Sequence, residues 1–295
     1  MRKQFVKTME DLMVQDEQLV LLLGDIGVFG FRNAFDLYPE RTYNIGICEQ
    51  AMTSVAAGLA KEKLIPVLHS IAPFVVERCF EQIKIDLCYQ HLNTNIVSVG
   101  SSYDYAALGC THHCPGDVSI LQALPGMEIV VPGTSEEFDR LFRAAYSDAN
   151  PTYFRLSEHS NLQSYDVEFS KALLIRRGTL ATVIAVGPAL TSVLEATRSL
   201  DVTILYYTTL SPFDGEILRE NSGSGNIIVI EPFYEGTLAY SVTNAMKGRS
   251  LRLLSIGVPR LFLTGYGHAD DHDLACGLTA GQIRARLEDF LDVSA

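Results

Sequence analysis

Short apolar runs rich in strand-favouring residues recur along the chain between stretches of helical periodicity, and this alternation constrains the fold more than any other feature. In the first half the runs are LVLLL (19–23), LIPVL (64–68), NIVSV (95–99), EIVV (128–131) and TYFR (152–155). Helical spacing fills the gaps at about 3–14, 49–62, 75–91 and 135–147. Crossover helices are what join parallel strands, so the pattern implies a parallel sheet. From Leu156 to Arg177 it lapses into a mixed polar segment, long enough to lead from one domain to another. It then restarts with TLATVIAV (179–186), VTILYY (202–207), NIIVIE (226–231) and LRLLSIG (251–257), interleaved with helical stretches near 188–199, 236–247 and 279–292. The segment NSGSGN (221–226) reads as a loop before a strand. The expectation is an α/β protein of two consecutive three-layer domains with mostly parallel sheets, at 1–165 and 172–295.

At 295 residues the chain can bury two cores of ordinary size. No apolar run approaches the ~18 to 20 residues of a membrane span, so no membrane association is expected. Lys and Arg total 23 against 35 Asp and Glu, and the net charge of −12 has the wrong sign for a nucleic-acid partner. The start, MRKQFVKTMEDLM, has neither the apolar stretch nor the cleavage site of a secretory signal, which points to a cytoplasmic location. There the six cysteines read as reduced thiols rather than a disulfide framework.

Four segments could carry chemistry. GDIGVFG (24–30) follows a strand but has neither the Lys of a P-loop nor the G-x-G-x-x-G spacing; its interest, and that of Asp25 within it, is its place at the carboxyl edge of the sheet. YNIGICEQAMTSVAAGLA (43–60) is a short strand feeding a small-residue helix, with Glu49 in the first turn. Glu49 either complements the helix dipole or presents a carboxylate to a ligand nitrogen. In APFVVERCFEQIKIDLCYQ (72–90), Phe74, Arg78 and Gln82 share one helical face, while Val76, Cys79, Ile83 and Leu87 form an apolar one. The first face is either merely solvated or offers a ligand an aromatic, a cation and an amide. CTHHC (110–114) has zinc-ligand residue types, yet adjacent imidazoles on so short a segment do not converge easily on one tetrahedron. A loop aiming one of the two histidines, or both, into a polar cleft is the better reading.

Together these segments resemble the second half of a transketolase, the pyrimidine-binding domain followed by the C-terminal domain, over nearly the whole chain. IGICEQAMTSVAAGLA (45–60) is similar to the family's strand-Glu-Gln-helix segment, with Glu49 on the acid that hydrogen-bonds the aminopyrimidine of thiamine diphosphate. That contact favours the imino tautomer which deprotonates the thiazolium. Phe74 lies near the family's ring-stacking aromatic, and F-x-x-x-R-x-x-x-Q resembles split transketolases and deoxyxylulose phosphate synthase. GCTHHCPGDVSILQALPGMEIVVPGTSEE (109–137) is similar to the G-x-T-H-Q segment, which puts His112 on the substrate-facing His. SPFD (211–214), IVIEPFYEGTLA (228–239) and GLTAGQI (277–283) resemble landmarks of the C-terminal domain.

The resemblance implies catalytic roles for Glu49 and His112, cofactor contacts from Asp25, Glu49, Phe74, Arg78 and Gln82, and substrate contacts from Arg2, His112, His113 and Arg155. The family's metal-diphosphate motif begins G-D-G, which this chain lacks. It therefore implies a split enzyme, α2β2 in form, whose α subunit holds Mg or Ca and the diphosphate; no metal ligands are expected in this chain. Three family positions that hold a sugar phosphate fall on Gly100, Phe29 and Glu158, and an Asp that reads the α-hydroxyl falls on Leu108, so the substrate expected is atypical and possibly unphosphorylated. The reading is a pyrimidine-binding subunit that transfers a two-carbon ketol unit between sugars. Its rivals are the β chain of a 2-oxoacid dehydrogenase, a deoxyxylulose phosphate synthase-like enzyme and a non-catalytic stabilising partner.

Overall fold

A computed structural model describes residues 1–292. The first-half strands are β1 (Leu19–Leu23), β2 (Thr42–Asn44), β3 (Ile65–Ile71), β4 (Asn95–Val99), β5 (Glu128–Val130) and β6 (Thr152–Arg155). Those of the second half are β7 (Leu173–Arg176), β8 (Thr182–Val186), β9 (Thr203–Tyr207), β10 (Thr209–Ser211), β11 (Asn226–Tyr234) and β12 (Arg252–Val258). They form a seven-stranded sheet in the order β10-β5-β6-β4-β3-β1-β2 and a five-stranded one in the order β12-β11-β8-β9-β7. Every pairing is parallel except those of the edge strands β10 with β5 and β7 with β9. The α/β class read from the sequence is the one observed.

The LVLLL run shows why so apolar a strand forms. Leu19, Leu21 and Leu23 enter one apolar layer and Val20 and Leu22 the other, as a central parallel strand requires. Phe5, Met9 and Leu12 of helix Arg2–Gln15, with Phe138, Leu141 and Phe142 of helix Ser135–Ala145, fill the first layer. Met52 and Ala56 of helix Glu49–Lys61, with Val76, Ile83 and Leu87, fill the second. The five-stranded sheet is covered likewise, by Leu190, Val193, Ile283 and Leu287 on one face and by Leu218, Val242 and Met246 on the other. Among the described residues no helix is long and apolar enough to cross a membrane.

Three features depart from the sequence expectation. β7 lies inside the segment read as polar, a half-buried edge strand without clear alternation. β10 leaves the second half to extend the first sheet, where Ser211 Oγ donates to the Met127 carbonyl at 2.7 Å. The helix expected over 75–91 is instead wound as π-helix at Pro73–Glu77 and Ile83–Cys88, with a short α segment at Phe80–Gln82. The sheets meet closely at Gly187, where φ is +48° and a Cβ would lie 2.6 Å from Val131 Cγ1.

The second sheet also buries a carboxyl. Glu231 on β11 is fully enclosed and accepts backbone N–H bonds from Gly236 at 2.5 Å and Leu238 at 3.0 Å. Burial pushes its pKa up to about 8 despite those bonds.

Candidate functional site

The strand order of the larger sheet reverses between β1 and β3: the chain leaves β1 for β2 on one side, then returns to β3 on the other. In open α/β sheets, ligands bind beyond the carboxyl ends of the strands at such a point. Here that place holds Glu49. Asn44 at the end of β2 shapes its approach, its Oδ1 accepting from the backbone N–H groups of Asp25 and Gly46, each at 3.0 Å. The helix then begins at Glu49, whose side chain is 1% exposed. A Cβ on Gly24, just after β1, would sit 3.2 Å from Glu49 Cγ and 3.3 Å from Ser70 Oγ, so the backbone there passes close against the carboxylate's side chain. Ser70 Oγ of β3 donates to Glu49 Oε1 at 3.3 Å, and Arg78 Nη1 donates to Oε2 at 2.7 Å.

From Arg78 the cluster extends outward. Its backbone N–H bonds to the Pro73 carbonyl, an i→i−5 bond of the π turn, and π segments recur at functional sites. The guanidinium lies 4.5 Å from the centroid of the Phe74 ring, and the His112 ring meets Phe74 edge-on at 5.3 Å. Gln82, one turn further on, donates from Nε2 to Glu81 at 3.1 Å while its buried Oε1 has no partner. Glu49, Arg78, Phe74 and His112 thus form a continuous chain of contacts, with Gln82 beside it on the same helix. The arrangement brings a buried anion, an aromatic face and an imidazole into one run of contacts: a hydrogen-bond acceptor, a stacking platform and a ring that can donate or accept.

The other candidates lie apart from that chain of contacts. Asp25 is exposed, at φ +64°, with its carboxylate on Asn44. Arg2 is exposed on the first helix. His113 turns away from His112 and is buried against the His272 ring at 5.3 Å; burial lowers its pKa. Arg155 is fully buried, donating from Nε to Asp117 and from Nη2 to Ser102, both at 2.7 Å. Of the family's phosphate positions, Phe29 is 82% exposed and Glu158 is exposed. At Gly100, φ is +76° and a Cβ would lie 2.5 Å from the Tyr105 ring, which fills that space. Among the described residues, metal-ligand spacing is found at His159, Asp270 and Asp273, and no member of CTHHC belongs to that group.

Gly24 and Asn44 lie within segments that the sequence sets apart, although neither was itself a candidate there; Ser70 and His69 lie outside them. The signal for the last two was a polar pair inside the apolar strand IPVLHSI. His69 is fully buried between Phe5 and Phe31, its Nδ1 2.8 Å from the Val97 carbonyl and its Nε2 without a partner; burial lowers its pKa to about 4.

The family profile of the transketolase pyrimidine-binding domain matches residues 1–162. Similar proteins include an uncharacterised 33.6 kDa protein of the fasciation locus of Rhodococcoides fascians, 38% identical over 97% of this chain and 93% of that one. One of the subunits of apulose-4-phosphate transketolase from Phocaeicola vulgatus is 29% identical over 88% of this chain and 87% of its own. 1-Deoxy-D-xylulose-5-phosphate synthase of Pseudomonas aeruginosa is also 29% identical, over 86% of this chain but 42% of its own length. Among solved structures, a split-gene transketolase described as an inactive beta4 tetramer superposes with a TM-score of 0.87 at 24% identity, over 100% of this chain and 98% of that one. Transketolase of Campylobacter jejuni gives 0.83 at 16% identity, over 98% of this chain and 46% of that one.

Proposed function

Because the chain belongs to the transketolase pyrimidine-binding family, we propose that it is the pyrimidine-binding subunit of a split transketolase, transferring a two-carbon ketol unit between sugars. The observation that carries this reading is Glu49, a carboxylate buried at the switch point of the sheet beside an aromatic face. The donor set suits the aminopyrimidine half of thiamine diphosphate. Glu49 would hold the ring nitrogen, Phe74 would stack on the ring, and His112 would face the substrate. When bound, the cofactor supplies the carbanion-stabilising group that C–C cleavage needs. The protein's share is to place the ring, exclude water and keep a proton acceptor against one nitrogen.

No G-D-G occurs in the chain, so the diphosphate and its divalent metal are assigned to a complementary α subunit, with α2β2 the proposed assembly. Calorimetric titration with thiamine diphosphate and Mg²⁺, with and without that subunit, tests the division. Tight binding and turnover only in the mixture are expected. Tight metal-dependent binding by this chain alone overturns it.

For the substrate we propose an end without a terminal phosphate. Gly100 and Phe29 offer no side-chain donor, Glu158 adds a negative charge, and Arg155 is committed to Asp117, leaving Arg2. A phosphate there would forgo charge-assisted bonds worth ~1.5 to 3 kcal/mol each. The P. vulgatus relative is named for a phosphorylated sugar, which makes the comparison direct. Paired substrates with and without the phosphate, assayed on wild type and Glu158→Arg, decide it. A wild-type preference for the phosphorylated member that Glu158→Arg leaves unchanged would sink the proposal.

A further inference from the structure

We infer that Arg78 is a built-in stand-in for the cofactor's pyrimidine, occupying both contacts the ring needs and leaving when the ring arrives. The inference rests on the pyrimidine-binding reading and concerns what fills that site beforehand. A guanidinium is planar, cationic and rich in N–H donors, so it satisfies a carboxylate and an aromatic face together, as an aminopyrimidine does. In this chain it does both: Nη1 is 2.7 Å from Glu49 Oε2 and the guanidinium lies 4.5 Å from the Phe74 centroid.

Displacement follows from access. Glu49 is 1% exposed, so no ring nitrogen reaches it until a neighbour moves. Ser70 is fully buried within β3, and Gly24 has no side chain to withdraw. Arg78, 37% exposed on the outer side of the cluster, is the neighbour free to swing. A place for it lies one helical turn away, where Gln82 Oε1 is buried without a donor next to the exposed Glu81. Arg78 is therefore a positioning residue: it keeps Glu49 paired and the Phe74 face covered until the ring takes over. A buried carboxylate without its cation is costly, which gives the contact a purpose in the cofactor-free chain.

The test uses the full chain and a free aminopyrimidine, 4-amino-5-hydroxymethyl-2-methylpyrimidine, with binding read by ligand-observed NMR and calorimetry. Arg78→Ala and Arg78→Gln should each tighten pyrimidine binding about tenfold or more, equivalent to about 1.4 kcal/mol. Both should lower the unfolding temperature of the ligand-free chain, because Glu49 loses its counter-charge. Glu49→Gln should abolish binding in every background. Weaker binding by both Arg78 variants, with Glu49→Gln still abolishing it, overturns the stand-in and leaves the pyrimidine site intact. Binding indifferent to Glu49→Gln, or none in any variant, overturns the pyrimidine reading itself.

Discussion

The two sheets each bury a glutamate near a strand's carboxyl end, and the two are satisfied in opposite ways. Glu231 is held by backbone N–H groups of its own following loop, Gly236 and Leu238, which cannot leave without unfolding the loop. Glu49 is held by a long, partly exposed side chain from another helix and by a longer bond from Ser70. A carboxyl bound to backbone is part of the scaffold. One bound to a movable cation is open to exchange, a difference between the two acids that burial alone does not reveal.

The largest expected effect breaks the pair apart. Glu49→Gln should lower turnover of the reconstituted enzyme by ~100-fold or more, the low end of general acid–base participation, with little change in unfolding temperature. Steady-state rates and calorimetry on one preparation check both halves. A near-wild-type rate would return Glu49 to a helix-dipole role.

Next comes His69, on the opposite face of β3 from Ser70. Folded, it takes a proton only near pH 4; unfolded, it does so near the ordinary 6.5. Between those values the unfolded chain binds more protons, so stability is complete above the upper pH and is lost as pH falls through the lower one, by up to about 3 kcal/mol. The change in urea midpoint between about pH 7 and about pH 4.5 should differ between wild type and His69→Gln, and that difference isolates His69 from Glu231, whose raised pKa acts with the opposite sign over the same range.

Glu231→Ala should leave the N–H groups of half-buried Gly236 and buried Leu238 without their acceptor and cost about 1 to 3 kcal/mol in urea unfolding, while turnover per folded molecule stays near wild type. If turnover falls as far as in Glu49→Gln, the contrast between the two acids fails. The smallest effect is at Phe74: Phe74→Leu keeps the apolar surface but loses ring stacking, worth ~0.5 to 1.5 kcal/mol, and should raise the thiamine diphosphate Kd of the complex accordingly. An unchanged Kd would remove Phe74 from the site.

Much of this was legible in the sequence where the determinants are local. LVLLL reads as a strand buried on both faces because it is short, continuous and set between turn signals, and the spacing of Val76, Cys79, Ile83 and Leu87 gave the packed face, all four fully buried. The edge strands β7 and β10 were not legible, since they take their pairing from strands distant in sequence and carry no alternation of their own. In the site, the residue types of Glu49, Phe74 and Arg78 were apparent, but the Arg78–Glu49 bond joins residues 29 apart and depends on how β2 and β3 flank β1. Arg155 shows the converse. A cation at a strand end looks available until Asp117, 38 residues earlier, is found beneath it.

The crossing of β10 into the larger sheet bears on how the protein withstands being cut. β5 is sheltered on one side by β6 and on the other by three residues contributed from beyond the polar segment. Residues 1–165 produced by themselves would leave that side of β5, with Ile129 and Val130, as an open apolar edge. Open edges of this kind recruit other strands, so limited proteolysis between the halves should give self-association rather than a soluble fragment.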